Sequence, residues 1–197
     1  YLPEVAFSKE RFLSDVEAVY KDLGYCYVVV SEGITNEKGE YCFTSGSVDA
    51  FGHMQLSGVG ISLKEMVENE IGINARCNTL GTAQRSAMHF ASKTDADEAY
   101  MAGAEAVHYA LADKSGVMVT LERTSDTPYK CTCGEVALDL VANNEQKVPL
   151  SWITKQANYV TDEFINYARP LILGEVEVPM KDGLPDYVRL DLTKGRI

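Results

Sequence analysis

The chain has 197 residues, enough to bury about 70% of the surface its unfolded form exposes and so to build a core. Its 18 Lys and Arg stand against 29 Asp and Glu, a formal net charge of −11 that removes the electrostatic drive for general nucleic-acid binding. With 46% hydrophobic and 24% charged residues the composition predicts a soluble folded protein, and no apolar run approaches the roughly 20 residues of a membrane span.

The opening Tyr1-Leu2-Pro3-Glu4 has neither an initiator Met nor a basic-then-apolar signal segment, and is read as part of something longer. Ser8 is placed as an N-cap, and Phe12, Leu13, Val16, Val19, Tyr20 and Leu23 follow helical spacing until Gly24. Tyr25 to Val30 is β-branched and aromatic without polar alternation, which predicts a buried central strand of an α/β sheet with Glu32 and Gly33 at its carboxyl end. Residues 35–48 are polar and rich in Gly and Ser, a surface excursion or hairpin.

Leu63, Met66, Val67 and Ile71 mark a second helix ending at Gly72, and Ala75, Cys77, Thr79 and Leu80 a strand stopped by Gly81. Thr94 begins a third helix, acidic in its first turn at Asp95, Asp97 and Glu98 and then rich in small residues. Gly116 to Leu121 reads as a strand, Val136 to Val141 as either strand or helix, and Phe164 to Leu171 as a helix that Pro170 disturbs. There is no internal repeat and no low-complexity tract.

The most informative stretch runs from Arg76 to Arg85, where a strand brings Arg76 and the Gly81 turn presents Thr82 and Arg85. Guanidinium groups suit phosphate because their planar forks donate parallel hydrogen bonds and stay charged, and a helix starting near Ser86 would add backbone N–H groups. The competing reading is two surface arginines paired with this acidic chain's carboxylates. Glu32, at the carboxyl end of a strand, either accepts sugar hydroxyls or is a solvated turn acid.

Cys131 and Cys133 share one side of a strand, but no second Cys or His pair stands where a structural zinc site needs it, so no metal ligand is assigned. His53, His89 and His108 lack a nucleophile partner, and Gly58-Val59-Gly60 lacks the rest of a nucleotide loop. Tyr129 and Lys130 either touch substrate or cap an edge. Five Cys at irregular spacing predict a reducing compartment, the cytoplasm.

Pro3-Glu4-Val5, the helix to Gly24, the strand into Ser31-Glu32-Gly33, Asp49-Ala-Phe-Gly-His53, the Arg76 to Ser86 segment and Tyr167-Ala-Arg-Pro-Leu-Ile172 together resemble the carboxyl-terminal half of the phosphofructokinase family. Leu80-Gly-Thr-Ala-Gln-Arg-Ser86 looks most like the pyrophosphate-dependent branch, since ATP-dependent bacterial members typically carry His where Thr82 stands. The resemblance implies an α/β fold, a three-layer Rossmann-like sheet left incomplete without the amino-terminal half. Residues 1–85 and 169–197 would then lie on the sugar-phosphate domain and 86–168 would return to the phosphoryl-donor domain.

It also implies a phosphotransferase moving phosphoryl from pyrophosphate to fructose 6-phosphate in glycolysis. Glu32 would hold fructose hydroxyls, Thr82 and Arg85 would contact the sugar phosphate in the same protomer, and Arg76 would reach the 6-phosphate of a neighbouring subunit, so an oligomer, at least a dimer, is expected. Mg2+ is expected in the intact enzyme, with its ligands and the catalytic base in the amino-terminal half, so this chain alone would be inactive and no catalytic residue is named in it. The alternatives are an ATP-dependent 6-phosphofructokinase, a non-catalytic sugar-phosphate-binding regulatory subunit, and an interaction module without sugar-phosphate affinity.

Overall fold

Ser8 starts the first helix as its sequence demands in the computed structural model, which describes residues 1–48, 54–56 and 58–188. The Ser8 hydroxyl accepts from the Arg11 backbone N–H at 3.2 Å, and α1 runs over Lys9–Leu23 until Gly24 turns left-handed at φ 78°. The Asp49–His53 motif, His53 included, lies outside the described residues.

The chain divides into two compact units. The first holds Tyr1–Leu80 and Glu145–Asn166, the second Gly81–Asn144 and Tyr167–Ile197. The first break falls at Gly81, and residues 145–166 pack with the opening 80.

In the first unit the core forms between α1 and α2 (Val59–Glu70), from Phe12, Val16, Val59, Leu63 and Val67 with Ile34 beneath them. Tyr1, Phe7 and Phe12 meet edge-on or tilted at 5.5–6.0 Å. The second helix starts earlier than Leu63 because Gly58 adopts φ 82° and releases the chain into it. Thr35 bridges Tyr41 and the Asn36 side chain accepts from the backbone of Lys38 and Glu40, so the excursion after Gly33 is a tight hairpin. It leads into β1 (Thr44–Val48), antiparallel to β2 (Met54–Leu56). Near the end of this unit Trp152 packs edge-on against Phe164, and Ile153 and Ala157 are buried.

Two expected strands are extended but join no sheet. Tyr25–Val30 is tied to Tyr1, which donates its amine to the Val29 carbonyl (2.7 Å) and accepts at its own carbonyl from Ser31 N–H (3.0 Å), and its Cys26 and Val30 pack against the core. Tyr27 is 86% exposed and Val29 72%, so this segment is not the buried central strand expected. Residues 73–78 alternate in exposure, and 79 and 80 are exposed, likewise without a ladder among the described residues. The cause is the same in both: a central strand needs neighbours on both edges, and no described segment supplies them.

In the second unit α3 (Thr82–Arg85) is a single turn, followed by a 3₁₀ turn at Met88–Phe90. The long helix α4 (Lys93–Leu111) is capped by Ser92, whose hydroxyl accepts from Asp95 N–H at 3.1 Å, and begins one residue before the expected Thr94. β3 (Val117–Asp126) and β4 (Tyr129–Ala137) form an antiparallel hairpin pairing Leu121 with Cys133 and Arg123 with Cys131. The ambiguous Val136–Val141 stretch is both things: β4 ends at Ala137 and α5 spans Leu138–Val141. Within β4 a Cβ at Gly134 would lie 1.9 Å from the Glu122 carboxylate, so a larger residue there would displace that side chain.

Helix α6 covers Asp162–Ala168, and Pro170 converts its continuation to a 3₁₀ turn over Arg169–Ile172. A short hairpin, β5 (Met180–Lys181) with β6 (Leu184–Pro185), follows. Every buried apolar side chain among the described residues lies in the first unit, so the second leaves its apolar positions open, Leu111 at 79% and Ile172 at 75%.

Candidate functional site

Arg76 is placed by the helix beneath it. The Glu68 carboxylate of α2 accepts from Ala75 N–H at 3.1 Å, and this bond, with Lys64 beside it, holds the Glu68 carboxyl below its ordinary range. Gly60 lets Cys77 approach so closely that a Cβ would meet its Sγ at 2.5 Å. Residues 73, 75 and 77 are thus partly covered and Arg76, of the opposite parity, is exposed.

Glu32 is exposed in the turn that follows Ser31, whose hydroxyl accepts from Gly33 N–H at 3.4 Å. Glu32, in that turn, and Arg76 stand on separate segments of the first unit.

Thr82 and Arg85 are brought together by the single turn of α3, three residues apart and so on one face. Gly81 begins the turn, and the Gln84 side chain accepts from the Gly81 N–H at 3.3 Å. Sequence reasoning missed Gln84; its signal is a glutamine three residues after an N-cap. The helix expected from Ser86 does not form, because Ser86 N–H closes the preceding turn on the Thr82 carbonyl at 3.0 Å. The backbone amides of Ser86, Ala87 and Met88 instead donate to carbonyls of these turns.

All four side chains, Glu32, Arg76, Thr82 and Arg85, are exposed. Neither arginine is engaged by a carboxylate among the described residues, which disfavours the reading of both as ion-paired surface charges. A guanidinium with its donors free is ready for an anion.

The remaining candidates resolve into local roles. His108 lies against Glu105 on the exposed side of α4, and His89 packs on Phe90 at 4.4 Å. Cys131 and Cys133 are free thiols on one face of β4, and no group of three or more His, Cys, Asp or Glu among the described residues converges as metal ligands. Tyr129 donates its hydroxyl to Glu98, and burial with that carboxylate pushes the phenol well above its ordinary value. Its ring also lies under Arg123, a cluster the sequence does not announce because its members stand far apart in it.

No family model matches the chain. It is 42% identical over 188 residues to the pyrophosphate–fructose 6-phosphate 1-phosphotransferase of Methylococcus capsulatus, covering 95% of this chain and 45% of that protein. The protein of that name from Halomonas elongata is 39% identical over the same shares. Among solved structures, the pyrophosphate-dependent phosphofructokinase of Marinobacter aquaeolei superposes with a TM-score of 0.77 at 36% identity, over 96% of this chain and 44% of that one. The chain therefore spans a little under half the length of the relatives it matches.

Proposed function

We propose that this chain, which belongs to the phosphofructokinase family and corresponds to its carboxyl-terminal half, supplies the fructose-6-phosphate-binding side of a pyrophosphate-dependent phosphotransferase. The observation that carries the reading is the α3 turn, where Thr82 and Arg85 share one exposed face with no carboxylate partner, in a chain 42% identical to a relative of that name.

In the whole protein, the 1-hydroxyl oxygen of fructose 6-phosphate attacks the terminal phosphorus of pyrophosphate. A P–O bond forms, the bridging P–O bond breaks, inorganic phosphate leaves, and the hydroxyl proton passes to a base. Arg85 offers parallel N–H donors to the sugar phosphate and stays charged throughout. Thr82, shorter than a histidine, contributes a hydroxyl from the same turn, and Glu32 accepts fructose hydroxyls. Arg76 reaches the 6-phosphate bound by a neighbouring subunit, which makes the working enzyme at least a dimer.

As the family resemblance implies, we place the Mg2+ ligands and the base in the other half. Mg2+ supplies charge neutralisation on the transferring phosphoryl group. On this reading residues 1–85 and 169–197 serve the sugar-phosphate domain and 86–168 the donor domain. The exposed faces at Tyr27, Val29 and Leu111 are then covered by the other half, and the chain alone is inactive. We place the protein in the cytoplasm, where five free cysteines stay reduced.

The test is a coupled assay of the full-length protein with fructose 6-phosphate and Mg2+, offering pyrophosphate or ATP. Turnover with pyrophosphate alone is expected. Turnover with ATP alone would assign an ATP-dependent enzyme, and sugar-phosphate binding without turnover a regulatory subunit.

A further inference from the structure

We infer that Arg123 is a positioning residue that sets the geometry of the Thr82–Arg85 turn by anchoring the backbone strap from Tyr167 to Gly174. The inference rests on the reading of Thr82 and Arg85 as sugar-phosphate ligands.

Arg123 projects from β3 with only 19% of its side chain exposed, in a unit that buries no apolar side chain among the described residues. Its guanidinium carbon lies 4.9 Å from the Tyr129 ring centroid and 5.1 Å from that of Tyr167. Its Nε pairs with Asp126 at 2.7 Å, and its terminal nitrogen donates to the Tyr167 carbonyl at 2.7 Å. Tyr129 is fixed in turn by its hydroxyl bond to Glu98 of α4. A planar cation held by two rings, a carboxylate and a carbonyl has one orientation, so the Tyr167 carbonyl has one position.

The strap that starts at Tyr167 ends on the first turn of α4. The Leu171 carbonyl accepts from the Ser92 hydroxyl at 2.6 Å, Leu173 from Thr94 N–H at 3.2 Å, and Gly174 from Lys93 N–H at 3.0 Å. The last contact requires glycine: a Cβ on Gly174 would meet Lys93 Cβ at 2.7 Å. These bonds satisfy N–H groups that a helix start leaves unpaired, so the strap is part of how α4 begins.

Between Arg85 and Ser92 the backbone has little slack. Ala87 N–H bonds to Gln84, Met88 to Ser86, Phe90 to Ala87 and Ala91 to Met88, at 2.9–3.3 Å. A shift of the strap therefore moves the start of α4, and the hydrogen-bonded turns carry that shift to Arg85. Freeing Arg123's end of the strap should spread the orientations of the α3 turn and weaken its grip on an anion, without touching the phosphoryl donor.

The experiment uses the full-length protein with Arg123→Ala, Arg123→Lys and, as a marker of the site, Arg85→Ala. Arg123→Ala is expected to raise the KM for fructose 6-phosphate about tenfold while the KM for pyrophosphate stays at wild type and kcat changes less than about threefold. Arg123→Lys, which can still donate to the Tyr167 carbonyl, is expected to recover part of that loss. Hydrogen exchange should show the Lys93 and Thr94 amides less protected in both variants.

A wild-type sugar-phosphate KM in Arg123→Ala overturns the inference, as does an equal rise in both KM values, which would be general loosening. Should Arg123→Ala fail to fold, Arg123→Lys decides: wild-type KM and wild-type protection overturn it. If Arg85→Ala also leaves the KM unchanged, it is the reading of the site that fails. A weakened Arg85→Ala beside a normal Arg123→Ala sinks the positioning role alone.

Discussion

Replacing Arg85 by alanine in the full-length protein separates binding from folding, because the structure gives Arg85 no folding role. It ends the single turn of α3, is exposed, and engages no carboxylate among the described residues. Truncating such a side chain should change stability by no more than about 0.5 kcal/mol. A charge-assisted bond to a phosphate is worth roughly 1.5–3 kcal/mol, which corresponds to a loss of about 10- to 150-fold in kcat/KM for fructose 6-phosphate. Steady-state kinetics at saturating pyrophosphate, beside a thermal melt, measure both quantities. An unchanged kcat/KM refutes the phosphate contact. A large fall in melting temperature refutes the other premise, that this arginine is idle in the fold.

Three further outcomes are expected. Glu32→Gln should impair use of fructose 6-phosphate while pyrophosphate affinity stays close to wild type, and equal loss for both substrates in initial-rate kinetics would count against a hydroxyl contact. Gly60→Ala should lower the denaturation midpoint, since its Cβ would stand 2.5 Å from Cys77 Sγ and overpacking costs about 1–3 kcal/mol; adding Cys77→Ala should restore the midpoint, and no restoration would mean the contact is not the cause. The Tyr129 phenol is held above its ordinary value of 10.0, so the stability it contributes is complete below that pH and is lost as pH rises beyond it. Tyr129→Phe should flatten that alkaline loss in urea melts at rising pH, and an unaltered slope would deny Tyr129 the effect.

What the sequence reveals depends on how local the determining contact is. Helix α1 was legible at both ends because Ser8 and Gly24 are themselves the caps, and β3 because its apolar run pairs with a segment only a turn away. Tyr25–Val30 carries the composition of a central strand, yet no described segment pairs with it and Tyr27 and Val29 stand exposed. Composition specifies a strand; only the partner makes a sheet. In the site, the Gly81 turn and the shared face of Thr82 and Arg85 follow from spacing, but their ligand was suggested by resemblance. The helix expected at Ser86 failed because a serine can close a turn as readily as open one. Arg123 was unreadable, since its partners Tyr129 and Tyr167 lie 6 and 44 residues away and no periodicity links them.

The central claim, that the intact protein exchanges phosphoryl groups with pyrophosphate, is tested most directly in reverse. Full-length protein is incubated with fructose 1,6-bisphosphate, inorganic phosphate and Mg2+, with no nucleotide present, and followed by phosphorus NMR. The account predicts that fructose 6-phosphate and pyrophosphate appear in equal amounts, because the phosphoryl group leaving the sugar can go only to phosphate. A spectrum that stays unchanged until ADP is added, and then shows ATP, would contradict it.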